Sequence, residues 1–179
     1  MILDGLLTFT SLAGGGTGAG DSPTATGGVS TNQIDLGILG LPTSASGGGA
    51  RDIGVGDDPA LKLLVLVTTA FTGGTNMQVS LQGAPDNGAG APGAYTTMIS
   101  GPIVVLASLV AGTRLLDTDV PRPAPGQSLP RYLQLLYTIV GGPMTGGTLK
   151  GFIVLDRHDL PEQSNAVLGG YPAGITVAN

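Results

Sequence analysis

Hydrophobic and polar positions along this chain alternate mostly with a period of two. Met77, Val79 and Leu81 alternate with Gln78, Ser80 and Gln82, the pattern of a strand with one buried face. Leu61 to Val67 reads Leu-Lys-Leu-Leu-Val-Leu-Val. Apart from Lys62 it is apolar on both faces, as a central sandwich strand should be. Phe71-Thr72-Gly73-Gly74 lies between these runs and is a tight-turn signal, so the spacing predicts a hairpin. Similar runs occupy residues 2–10, 29–36, 95–100, 103–106, 114–117, 131–140 and 148–156. In the 131–140 run, Leu133, Leu135, Tyr137 and Ile139 share a face. In the 148–156 run, Leu149, Ile153 and Leu155 oppose Phe152 and Val154. The glycine-rich stretch 141–147 between these two predicts a second hairpin. Residues 103–115 alone compete as a helix, and their β-branched content and Pro102 weigh against it. Eight or nine short strands predict an all-β protein, a jelly-roll-like antiparallel sandwich. A closed barrel satisfies the same alternation.

Composition changes this picture at the loops and ends. Of 179 residues, 32 are Gly and 13 are Pro, about a quarter, a level at which disorder of the whole chain becomes a real alternative. Disordered chains are polar and highly charged, whereas this one is 41% hydrophobic with a mean hydropathy of +0.33. The glycines and prolines gather at 13–28, 37–50 and 83–94, and in a proline-rich loop at 119–130. The expected organisation is one sandwich domain over 1–157 carrying these insertions, followed by an extended C-terminal arm over 158–179. Leu160, Val167, Leu168, Tyr171, Ile175 and Val177 are widely spaced along that arm. Such a tail is either disordered or an arm that finds its partner on another molecule, and in the second case these six residues are the candidate interface.

Charge and candidate chemistry narrow the function classes. A net charge of −5 with seven scattered Lys and Arg speaks against nucleic-acid binding. The first residues lack the basic start of a secretory signal, and no apolar run approaches the ~18 residues that span a bilayer, so a soluble product is expected. With no cysteine, disulfides and thiolate chemistry are excluded. His158, the only histidine, needs a nucleophile and an orienting group to be catalytic, and an exposed histidine in a charged turn is the plainer reading. Asp57-Asp58 and Asp117-Thr118-Asp119 lack the ligand spacing of a calcium loop. The glycine run 14–20 lacks the Lys-Ser/Thr pair of a phosphate loop, and Lys150 falls within a strand. Tyr132, Tyr137 and Phe152 belong to strands and read as core. No enzyme, cofactor or metal is expected.

Six stretches in order resemble the capsid cement proteins of Bordetella-type tailed bacteriophages. They are Val29-Ser30-Thr31-Asn32-Gln33-Ile34-Asp35-Leu36-Gly37, Ala50-Arg51-Asp52-Ile53-Gly54-Val55-Gly56 and Ala70-Phe71-Thr72-Gly73. Leu109-Val110-Ala111-Gly112-Thr113-Arg114, Arg131-Tyr132-Leu133-Gln134-Leu135 and Ile153-Val154-Leu155-Asp156-Arg157 follow. The set covers most of residues 29–157. The resemblance implies a jelly-roll protein on the outside of an icosahedral head that bridges neighbouring major capsid subunits, without catalysis or cofactor. Its implied partners are the major capsid protein and copies of itself, as a dimer or trimer, with no nucleic acid and no membrane. It would be made in the host cytoplasm and act on the virion. This sequence departs from the family pattern at 37–50, at 119–130 and in its long tail. A different class with the same fold is a ligand- or receptor-binding module on the virion surface, for instance one that binds glycans.

Overall fold

The computed structural model describes residues 7–10, 20–37, 61–121 and 130–154. Among them are nine strands: β1 (Gly28–Val29), β2 (Ile34–Asp35), β3 (Lys62–Gly73), β4 (Asn76–Ala84), β5 (Thr96–Ser100), β6 (Val104–Val105), β7 (Arg114–Asp119), β8 (Tyr132–Val140) and β9 (Met144–Val154). A 3-10 turn over Leu106–Ser108 follows β6. One sheet has the order β7-β3-β9. The other runs β1-β8-β4-β5, with β2 also along β8 and β6 also along β4. Every strand pair is antiparallel. The protein is therefore an all-β antiparallel sandwich, as the alternation predicts, and its topology is consistent with the jelly-roll-like form.

Neither predicted hairpin forms. β3 and β4 lie in different sheets, and so do β8 and β9. β3 pairs with β9, from Lys62↔Val154 to Gly73↔Met144, while β4 pairs with β8, from Asn76↔Val140 to Ala84↔Tyr132. The two turns are thus corners of stacked arches. At each corner the strand rolls about its own axis, so that apolar faces meet across the sandwich and edges do not pair. Leu63, Val65 and Val67 of β3 join Met77, Val79 and Leu81 of β4 in one core, together with Leu133, Leu135, Tyr137 and Ile139 of β8 and Leu149 and Ile153 of β9. Burying each such side chain stabilises the fold by about 1.5–3 kcal/mol. A flat hairpin would leave the same faces waiting for another cover. Gly73 and Gly141 turn the corners with φ of 75° and 79°, a region that side chains disfavour.

Several boundaries also differ from the periodic reading. β9 begins at Met144, so much of the expected 141–147 connector is strand, and the Met144 side chain is buried. The run at 29–36 splits into β1 and β2 around Ser30, whose hydroxyl accepts the Leu135 N–H at 3.0 Å and donates to the Asn32 carbonyl at 2.9 Å. Beyond β4, the glycine-rich 83–94 segment is built from side-chain turns. Asp86 accepts the amides of Gly88 and Gly90, and Asn87 those of Ala89 and Ala91. The competing helix at 103–115 resolves into β6, the 3-10 turn and the start of β7. Leu64, Leu66, Phe152 and Val154 form a second buried cluster on the opposite face of β3 and β9, which explains why Leu61–Val67 is apolar on both faces.

Candidate interaction surface

One lateral side of the sandwich, where β9 faces β8, is strapped. Asp21 makes a two-way backbone bridge with Leu149 of β9, at 2.8 and 2.9 Å. A few residues later, Gly27 donates its N–H to Tyr137 of β8 at 2.9 Å and β1 begins. Residues 20–29 therefore cross from one sheet to the other. Phe9 pins the same side from within the core, donating its N–H to Gly151 at 2.9 Å and accepting the Asn32 N–H at 2.8 Å. Inside the strap sits a polar clasp. The buried Asp21 carboxylate accepts the Tyr137 hydroxyl at 2.7 Å, the Thr31 N–H at 2.9 Å and the Thr31 hydroxyl at 2.5 Å. Burial, followed by the neighbouring Asp21 charge, pushes the Tyr137 phenol far up from its ordinary value. It stays a protonated donor.

A second node fixes the far end of the strap. Arg131, just before β8, holds Asp35 of β2 with two bonds of 2.9 and 3.1 Å and also pairs with Asp86, a two-pronged geometry that suits guanidinium. Its guanidinium lies 4.9 Å from the centre of the Tyr132 ring, within cation–π range. The Arg131 hydrogen bond holds the Asp35 carboxyl below its usual range against the opposing effect of burial. Desolvation is the largest influence on Asp86 and raises it, but the Gly88 and Gly90 amides and Arg131 together bring it below the ordinary value. The Tyr132 hydroxyl is buried and has no hydrogen-bond partner among the described residues. Through this node Arg131 ties the 83–94 loop and β2 to the start of β8.

The opposite side has a different character. β5 and β6 lie end to end along β4 and form the edge of their sheet. Two of the large apolar side chains left exposed are here, Ile103 at 64% and Val105 at 54%; Val140, at 53%, lies on β8 across β4 from β6, and Val110, at 51%, lies in the segment beside β3. Val105 and Val140 both stand opposite Asn76, so they project from the same face of the sheet. From Asn87 to Thr113 the sequence holds no Asp, Glu, Lys, Arg or His. The β7 edge of the other sheet is instead charged, with Arg114 paired to Asp117 at 2.7 Å and Asp119 paired to Lys62.

The structure brings together little of what the sequence marked as candidate chemistry. Leu160, Val167, Leu168, Tyr171, Ile175, Val177, His158, Asp57 and Asp58 lie outside the described residues. Asp117 and Asp119 serve ion pairs along β7, and Lys150 lies on β9 opposite Leu66. Tyr132, Tyr137 and Phe152 are buried as expected. Sequence reasoning missed the clasp, because nothing local links Asp21 to Tyr137. It also missed the apolar edge, for which the uncharged run 87–113 was an available signal.

Two sheets joined by stacked arches, strapped on one side and uncharged along the other edge, define a clasped antiparallel β-sandwich. Its described strands fall almost wholly within residues 18–153, the span matched by the model of the Bbp16 family. The chain belongs to that family, a Bordetella phage protein family, and is a virion-associated phage structural protein. No curated protein matches it. Two of the stretches that carried the resemblance, 29–37 and 131–135, prove to be spatial neighbours through Ile34↔Leu133 and the Asp35–Arg131 pair.

Proposed function

We propose that this protein is a capsid cement protein, which binds the outer surface of the icosahedral head and bridges neighbouring major capsid subunits. The observation that carries this reading is membership of the Bbp16 family across residues 18–153. The construction of the body supports it. A bridge under load needs a part that keeps its shape, and the Asp21 clasp and Arg131 node resist sliding of the strap along β8. Charge-assisted bonds are the strong ones, and those of the clasp are buried. The bridge acts by binding alone, without catalysis or cofactor, and its partners are the major capsid protein and further copies of itself. Contacts that are modest singly become strong when one rigid body links them, because the second forms at high effective concentration. The arm at 158–179, through Leu160, Val167, Leu168, Tyr171, Ile175 and Val177, reaches the second subunit in this reading.

Heads prepared without the protein provide the test. Added back, the full chain should bind them and raise the temperature at which they release DNA. A chain ending at Arg157 should bind more weakly and protect less. Heads that neither bind the full chain nor gain heat resistance from it would refute the proposal, and equal performance by the shortened chain would refute the arm's part in it.

A further inference from the structure

We propose that Asn87 is a site of self-modification, at which the chain converts its own asparagine to aspartate or isoaspartate, and that the Asp86 carboxylate holds this reaction back. This concerns the isolated chain and does not depend on the head-binding reading. Of the five asparagines in the sequence, Asn87 alone is followed by glycine. Both residues are exposed, in the 83–94 loop. The reaction needs the Gly88 main-chain nitrogen to attack the Asn87 side-chain carbonyl carbon, and glycine leaves that nitrogen uncrowded. A Cβ on Gly88 would meet nothing within 4 Å, so no neighbour packs against it there. As the N–Cγ bond forms, the Gly88 nitrogen gives up its proton. The Cγ–Nδ2 bond breaks, and Nδ2 leaves as ammonia carrying that proton. Water then opens the five-membered imide at either of its carbonyl carbons. One opening leaves aspartate at this position; the other leaves isoaspartate, with the main chain running through the side-chain carbon.

The closed loop opposes this at both reacting groups. Gly88 donates its N–H to Asp86 Oδ1 at 2.7 Å. Asp86 is ionised near neutrality, its carboxyl being held below the ordinary value. Its charge stabilises the protonated nitrogen and disfavours the amide anion that must attack. Asp86 is itself fixed, since it also accepts the Gly90 N–H at 3.1 Å and pairs with Arg131. Asn87 Oδ1 accepts the Ala89 N–H at 2.8 Å and the Ala91 N–H at 3.4 Å, which fixes the other partner in a turn. The reaction therefore runs from loops that have opened locally. The other described asparagines are less suited. Asn32 donates Nδ2 to the Thr10 carbonyl at 3.0 Å and precedes Gln33, and Asn76 lies at the start of β4 before Met77. The product undoes its own guard. Isoaspartate adds one atom to the main chain between Asp86 and Pro92, which face each other in a bridge, and so takes the Gly88 amide out of register with Asp86.

The test incubates the full chain at neutral pH and follows each asparagine by peptide mass spectrometry with an isoaspartate-specific methylation assay. Conversion should occur at Asn87, at least about tenfold more slowly in the folded chain than in guanidinium chloride. Folded Asp86→Ala should convert at least about tenfold faster than folded wild type, because charge-assisted bonds are strong. Gly88→Ala should slow the unfolded chain severalfold, since its methyl group crowds the nitrogen. Circular dichroism checks that Asp86→Ala is folded. Should it not fold, hydrogen exchange supplies an independent arm. The Gly88 amide should be protected in the wild type and should lose that protection in the isoaspartate form, separated by ion exchange. Equal rates in folded and unfolded wild type, or a folded Asp86→Ala no faster than wild type, would overturn the proposal. So would conversion at Asn32 or Asn76 ahead of Asn87, an unprotected Gly88 amide in the wild type, or an isoaspartate form that keeps the protection.

Discussion

Replacing Tyr137 by phenylalanine removes one oxygen from the inside of the clasp and leaves the core ring in place. The lost bond is 2.7 Å long and runs to a buried carboxylate. Hydrogen bonds to charged partners contribute about 1.5–3 kcal/mol. Asp21 keeps the Thr31 N–H and hydroxyl, so it is not left without donors, and Tyr137→Phe should cost about 2 kcal/mol. In a domain of this size that lowers Tm by roughly 4–8 °C. Asp21→Ala is the more severe change. It leaves the Tyr137 hydroxyl and both Thr31 donors facing a gap and should cost about 4 kcal/mol. If the two residues act through the bond between them, the double variant should be less damaged than the sum by ~1–2 kcal/mol. Urea denaturation of the four proteins, followed by circular dichroism, measures this cycle. Additivity, or a Tyr137→Phe loss below about 0.5 kcal/mol, would refute the clasp as a stabilising unit.

The remaining predictions concern pH and the corners. Burial raises the Tyr137 pKa in the folded state, so its contribution is complete below the ordinary tyrosine value near 10 and declines as pH climbs past it, by up to about 1.4 kcal/mol per pH unit. Tyr137→Phe should flatten that alkaline loss, as denaturation between neutral and alkaline pH would show. Asp35 is held low by Arg131, so its contribution is present above the ordinary aspartate value near 3.9 and is lost as pH falls through the lower folded value. The stability gap between wild type and Arg131→Gln should therefore be constant near neutrality and close in acid; a gap that widens below pH ~4 contradicts the node. At the corner, a Cβ on Gly73 would lie 2.7 Å from the Pro143 carbonyl oxygen in addition to its φ of 75°, whereas Gly112, at φ 90°, has open space around it. Gly112→Ala should cost about 1–2 kcal/mol from conformation alone, and Gly73→Ala clearly more, checked by paired thermal melts.

The node and the clasp show how far the sequence was readable. The inward set on β8 was legible, because alternation alone places Leu133, Leu135, Tyr137 and Ile139 together and all four are in the core. That Tyr137 also carries a buried hydrogen bond was not legible. Its partner lies 116 positions away in the sequence, and a tyrosine in an apolar stripe looks the same with or without one. Asp35 and Arg131 both lie in stretches that carry the resemblance, yet their pairing rests on β2 meeting β8. The candidate interface residues 160–177 fall outside the described residues.

By itself the sequence determined which residues face inward, where the chain bends, and that the fold is all-β. These are local properties: a period of two follows from backbone geometry, and glycines mark turns because they reach positive φ. Only the tertiary structure decided which strand pairs with which. The Phe71–Gly74 and 141–147 signals fit a hairpin and an arch equally well, because both reverse the chain and preserve alternation. Closing a short hairpin is favoured over longer-range pairing only by a loop entropy that grows slowly with length. Burying both apolar faces against each other across the sandwich outweighs that difference. For the same reason, long-range pairing put a strap on one side of the molecule and an uncharged edge on the other.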